Sequence, residues 1–278
     1  MSGFLTLPSR SAKPRDVGIT HVIDKGMGIR QLEDLLETSA GHIDILKFGW
    51  GTAYVTQNTF DKIRVCHDAQ VPVCFGGTFL ELAILQGRFN EYRDAARKAK
   101  LTHVEISTGV IDMSRQEKAT YIRELAKEFI VLSEVGSKDA EKIIPPYRWV
   151  EQIESDLEAG AWKVICEARE SGTVGLYFGT GEVRSGLVDE ITEKIDRDDL
   201  IFEAPLKTQQ VWLVKKFGTE INVGNVATTD VIALETLRLG LRADTMPKFH
   251  DVAGWNAKTE EHSDPEPTRP KRRSPIAD

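Results

Sequence analysis

Four glutamates recur at positions 105, 134, 167 and 203, separated by 29, 33 and 36 residues. Each falls near the end of a short apolar run, in THVEIS, VLSEV, VICE and IFEA. Lys47 ends the run IDILK, and Lys25, Lys138 and Arg169 fall just beyond other runs. Carboxylates gathered in one cleft suit a hard divalent cation such as Mg²⁺, which prefers oxygen ligands and retains waters. Lysine and arginine suit phosphate or carboxylate, arginine often through two parallel hydrogen bonds. Glycines follow the same runs, in KFGWGT, FGGT, SEVGSK, EARESG and NVGN. They let backbone N–H groups approach an anion closely. One glutamate in such a place is as readily a helix N-terminal charge or a structural salt bridge; four in register make a site. Asp24, at the end of the first run, reads as the residue that fixes the following turn or caps the following helix.

These side chains meet only if their runs are parallel strands. The runs are Val17–Asp24, Ile43–Phe48, Val71–Phe75, His103–Ser107, Ile130–Glu134, Lys163–Glu167, Leu200–Ala204 and Glu220–Val223. Each is short and mostly apolar, as expected of strands buried on both faces. Amphipathic helical patterns lie between them, including a capping box of Ser114 and Glu117 and a segment, Leu80–Lys100, broken near Gly87. A strand repeatedly followed by a helix implies a parallel sheet. Eight such units over residues 1–255 predict an α/β fold, a single (β/α)₈ TIM-type barrel, with a doubly wound open sheet as the competitor. In a barrel all the strand ends share one rim, and the loops there build the catalytic site. Residues 256–278 are polar and proline-rich and read as a disordered tail.

A net charge of −7 argues against a nucleic-acid protein, which would present a basic face. It does not exclude a small anionic substrate, which needs only local positive charge. No run approaches the length of a membrane span, and MSGFLTLPSR lacks the order of a signal peptide. Cys66, Cys74 and Cys166 are widely spaced in or beside apolar segments and read as buried thiols in a reducing cytoplasm. His21 and His103 fall inside apolar runs and read as core residues. The chain has no HExxH pair, GxSxG elbow or Walker loop.

The strand-end phrases DKG (24–26), KFGWGT (47–52), FGGT (75–78), EIS (105–107), SEVGSK (133–138), EARESG (167–172), FEAP (202–205) and NVGN (222–225) together resemble the phosphosulfolactate synthase family. The resemblance implies a trimeric (β/α)₈ barrel that adds sulfite to phosphoenolpyruvate with Mg²⁺, opening a route to coenzyme M. On that resemblance Lys138 is the general acid, and Lys25, Lys47 and Arg169 bind phosphate, carboxylate or sulfite. The Ser171–Gly172 turn and Gly224–Asn225 offer N–H donors to phosphate, and Glu105, Glu134, Glu167 and Glu203 are the pool of metal ligands. Where the family carries a lysine pair in the fifth loop, this chain has Ser137 and Lys138. Two other readings fit the same residues. One is a different Mg²⁺-dependent barrel enzyme acting on an enolisable phosphate or carboxylate. The other is a non-catalytic, stress-associated homologue.

Overall fold

A computed structural model describes residues 3–136 and 144–261. Eight strands are present: β1 (Thr20–Asp24), β2 (Ile45–Phe48), β3 (Val73–Phe75), β4 (His103–Ile106), β5 (Ile130–Val135), β6 (Lys163–Cys166), β7 (Leu200–Glu203) and β8 (Val223–Ala227). They pair in parallel in the order β3-β2-β1-β8-β7-β6-β5-β4. The sheet curls into a nearly closed barrel with helices on its outside, the predicted TIM-type architecture. The helices are α1 (Ile29–Ser39), α2 (Thr52–Val55), α3 (Thr59–Asp68), α4 (Gly77–Leu85), α5 (Phe89–Lys98) and α6 (Arg115–Ala126). They continue with α7 (Pro146–Glu158), α8 (Ser185–Lys194), α9 (Lys207–Phe217), α10 (Val231–Arg238), α11 (Met246–Phe249) and α12 (Val252–Glu261).

Local chemistry sets several boundaries. Ser114 and Glu117 form the predicted capping box, with the Glu117 N–H donating to Ser114 Oγ at 3.2 Å and the Ser114 N–H to Glu117 Oε2 at 2.9 Å. Gly87, at φ 68°, separates α4 from α5. Helix α12 carries regular structure to Glu261, past the expected start of the tail at 256; residues 262–278 of that expected tail lie outside the described residues.

Strand periodicity explains how an apolar barrel holds a charged rim. Alternate residues of a strand point the same way. Ile45, Leu132, Ile165 and Ile201, with Ile19 and Cys74, form a small buried cluster separate from the main core. Two residues further along their strands stand Lys47, Glu134, Glu167 and Glu203. An apolar layer thus fills the barrel interior, and a layer of charge lies directly above it towards the C-terminal rim.

Two further features depart from the sequence reading. Strand β8 runs Val223–Ala227 rather than Glu220–Val223, because Asn222 occupies the lead-in. Its Oδ1 accepts the Ile19 N–H at 2.9 Å and its Nδ2 donates to Leu200 O at 2.9 Å. Gly224 and Asn225 therefore lie inside the strand. There Val223 pairs with Thr20 but Val226 with Val22, a bulge that Asn225 accommodates at φ 51°. The second feature is the seam: among the described residues β3 and β4 share no ladder pairing. The Gly77 N–H instead donates to Glu105 Oε1 at 2.8 Å. A Cβ on Gly77 would stand 2.6 Å from Ser107 Oγ, so this close approach requires glycine.

Candidate active site

A cavity of about 290 Å³ opens at the C-terminal ends of the strands. Glu105, Glu134, Glu167, Glu170 and Glu203 line it together with Lys47, Arg169, Asn225, Thr78 and Trp50. All four sequence-predicted glutamates therefore converge, from β4, β5, the end of β6 and β7.

Lys47 organises the closed end. Its Nζ lies 3.1 Å from Glu105 Oε2 and 3.5 Å from both Glu134 Oε1 and Glu203 Oε1. All four residues are buried. Burial works against the ammonium, but Glu105, Glu134 and Glu203 hold its pKa well above the usual lysine range. Burial pushes the Glu105 carboxyl well above the usual carboxylate range, with the Lys47 charge opposing and Glu134 adding to the rise. Glu203 Oε2 also accepts the Ala168 N–H at 2.8 Å, which ties the start of the β6–α8 loop to β7.

His21 lies beneath this layer. Its Nε2 is 3.6 Å from Glu105 Oε2 and 3.9 Å from Cys74 Sγ. Burial first, then the Lys47 charge, pull its pKa well below the normal imidazole range, so the ring is neutral. His103 is a core residue as expected, paired with Thr102 Oγ1 at 2.8 Å and packed edge-on to Trp162. The three cysteines are buried free thiols.

The mouth is built differently. Arg169 adopts φ 55°, with its N–H donating to Glu167 Oε1 at 2.9 Å. Arg169 is exposed, lines the cavity and makes no ion pair with any described residue. Asn225 also lines the cavity, at the β8 bulge; its buried Oδ1 has no hydrogen-bond partner among the described residues.

Several expected contributors stand elsewhere. Lys25 is exposed in the β1–α1 loop and does not line the cavity. Ser171 is exposed, with its Oγ 2.9 Å from Thr173 Oγ1, and the Gly172 N–H closes a turn onto Arg169 O at 3.3 Å. Neither lines the cavity. Gly224 instead allows close strand packing: its carbonyl accepts the Ala204 N–H at 2.9 Å, and a Cβ there would stand 3.0 Å from Ile201 Cγ2. Asp24 fixes its turn, accepting the Gly26 and Met27 N–H groups at 2.8 and 2.7 Å and pairing with the fully buried Lys62. Lys138 lies outside the described residues.

Sequence reasoning placed Thr78 at a strand end without a role and missed Trp50, Val110 and the supporting residue Glu81. Trp50, at φ 52° and 39 % exposed, stands between two glycines at the cavity wall. An aromatic held in a glycine loop was the available signal. Buried Glu81 accepts the Val110 and Ile111 N–H groups at 2.7 and 3.0 Å and the Ser107 hydroxyl, and so holds the β4–α6 loop that carries Val110. Nothing in the periodicity of α4 marks it.

Comparison with known proteins bears on this rim. The chain is 44% identical over 244 residues to the phosphosulfolactate synthase of Bacillus subtilis (strain 168), covering 87% of this chain and 97% of that one. It is 41% identical over 253 residues to the phosphosulfolactate synthase of Methanothermobacter thermautotrophicus, covering 89% and 98%. Among solved structures it resembles 3-hexulose-6-phosphate synthase from Salmonella typhimurium, with a TM-score of 0.51, 11% identity and coverage of 82% and 93%, a likeness of fold alone. The (2R)-phospho-3-sulfolactate synthase (ComA) family matches residues 8–244, strand β1 through the end of α10 and beyond, and the chain belongs to that family.

Proposed function

We propose that this protein catalyses the Mg²⁺-dependent addition of sulfite to phosphoenolpyruvate, giving (2R)-phospho-3-sulfolactate. The observation that carries the reading is the composition of the rim, where among the described residues Glu105, Glu134, Glu167, Glu170 and Glu203 line one cavity with Lys47 and Arg169. Carboxylates gathered in one cavity suit a divalent cation as the companion of an anionic substrate. The donors are carboxylate oxygens, which suit Mg²⁺. Glu105, Glu134, Glu167 and Glu203 are the residues that would hold the ion. When bound, it would supply Lewis-acid stabilisation of charge building on the substrate carboxylate.

The chain's own groups divide the remaining work. Lys47, kept protonated by its neighbours, places a fixed buried positive charge beside that developing charge, with no reorganisation needed. Arg169 at the mouth grips the phosphate or carboxylate. Trp50 and Val110 form walls that limit water. The sulfur lone pair of sulfite forms the C–S bond at the methylene carbon. The alkene electron pair shifts towards the carboxylate-bearing carbon, and that carbon then takes a proton. Lys138 is assigned as its donor on family resemblance.

The test is to incubate purified protein with phosphoenolpyruvate, sulfite and Mg²⁺ and seek the adduct by mass spectrometry. Adduct formation that disappears in Lys138→Ala, with phosphoenolpyruvate binding retained, supports both the reaction and the role of Lys138. Tight phosphoenolpyruvate binding without adduct would favour a different enol-phosphate chemistry at the same rim.

A further inference from the structure

The exposed guanidinium of Arg169 hangs from the long loop between β6 and α8, yet that loop is not free to choose its shape. Gln209, in the first turn of α9 and completely buried, donates through Nε2 to Gly172 O at 2.8 Å and to Gly181 O at 3.1 Å. Its Oε1 accepts the Leu206 N–H at 3.1 Å. One amide therefore pins both the outgoing and the returning arm of the loop to the helix that follows β7. The fit is close: a Cβ on Gly172 would stand 2.7 Å from Gln209 Nε2. Gly172 in turn closes onto Arg169 O at 3.3 Å, so the pinned carbonyl lies three residues from the guanidinium.

We infer that Gln209 is a positioning residue that sets the placement of Arg169, and through it the affinity for an anionic substrate. The inference rests on the phosphoenolpyruvate reading for its ligand but not for its mechanics. Gln209→Met keeps the length of the side chain and removes its polar atoms. Two readouts separate the claims. In the ligand-free protein, amide hydrogen exchange across residues 169–172 should accelerate about tenfold in Gln209→Met, while β4 and β5 stay protected. Unchanged exchange would overturn the inference whatever the ligand. In the second readout, Gln209→Met should weaken phosphoenolpyruvate binding about tenfold beside Arg169, but less than twofold in an Arg169→Ala background. Equal losses in both backgrounds would show that Gln209 acts on the fold rather than through Arg169. Failure of the unmodified protein to bind phosphoenolpyruvate would overturn the functional reading, and the exchange result would still decide the pinning.

Discussion

The Lys47 ammonium lies 3.1 Å from Glu105 Oε2 at the closed end of the cavity, and both side chains are almost sealed from solvent. Such a pair costs much to break on one side, about 3–5 kcal/mol, because the remaining buried group must carry an uncompensated charge or take up a proton. Lys47→Met should therefore destabilise the protein by an amount of that order. It should also change the pH dependence. Glu105 holds its proton more tightly folded than unfolded, so stability from this group is largest at low pH and is lost as pH rises towards its folded pKa. Removing Lys47 raises that pKa further. Thermal midpoints of the variant should fall more steeply than those of the unmodified protein as pH rises above the usual carboxylate range. Parallel curves would contradict the coupling.

The two outer cations should behave differently. Arg169 reaches the cavity, whereas Lys25 is exposed and does not line it. A hydrogen bond to a charged group contributes about 1.5–3 kcal/mol, so Arg169→Ala should weaken phosphoenolpyruvate binding by at least about tenfold. Lys25→Ala should change it less than about twofold, within the range of ordinary surface substitutions. Titration calorimetry of both variants decides the matter, and a larger loss for Lys25→Ala would contradict the placement.

That contrast shows what the sequence could and could not convey. The glutamates at 105, 134, 167 and 203 were legible because apolar runs with period-2 geometry fix which strand-end side chains face the barrel axis. The order of eight strand–helix units likewise fixed the barrel. Loop residues carry no such periodicity. Lys47 lies inside its strand and shares its period-2 face, whereas Lys25 follows the last residue of its own, in the turn held by Asp24. Ser171 and Gly172 looked like anion donors, but their groups serve the turn itself. The bulge at Gly224–Asn225 depends on a register with β1 that no local pattern encodes. Gln209 and Glu81 act on loops far from them in sequence, so their roles emerge only from the fold.

The Asp24–Lys62 pair is fully buried and outside the cavity. Asp24→Asn leaves a buried ammonium against a neutral partner and should lower stability by about 3–5 kcal/mol. Denaturant melts check this. Stability within about 0.5 kcal/mol of the unmodified protein would show that Asp24 has no such structural role.

A cation held by the rim carboxylates would stabilise the folded state by mass action, about 2.7 kcal/mol at a concentration one hundred times its Kd. Adding Mg²⁺ to the ligand-free protein should therefore raise the thermal midpoint by several degrees, and the rise should shrink in Glu203→Gln. An equal rise in both proteins would place the ion elsewhere.

The most direct measurement of the central claim is the reaction run in D₂O with phosphoenolpyruvate, sulfite and Mg²⁺, followed by ³¹P and ¹H NMR. The account predicts that phosphoenolpyruvate is consumed only when sulfite is present. The product should be a single phosphosulfolactate carrying one deuterium on the phosphate-bearing carbon. Phosphoenolpyruvate that remains intact at saturating sulfite and Mg²⁺, with the protein folded and the ligand bound, would contradict it.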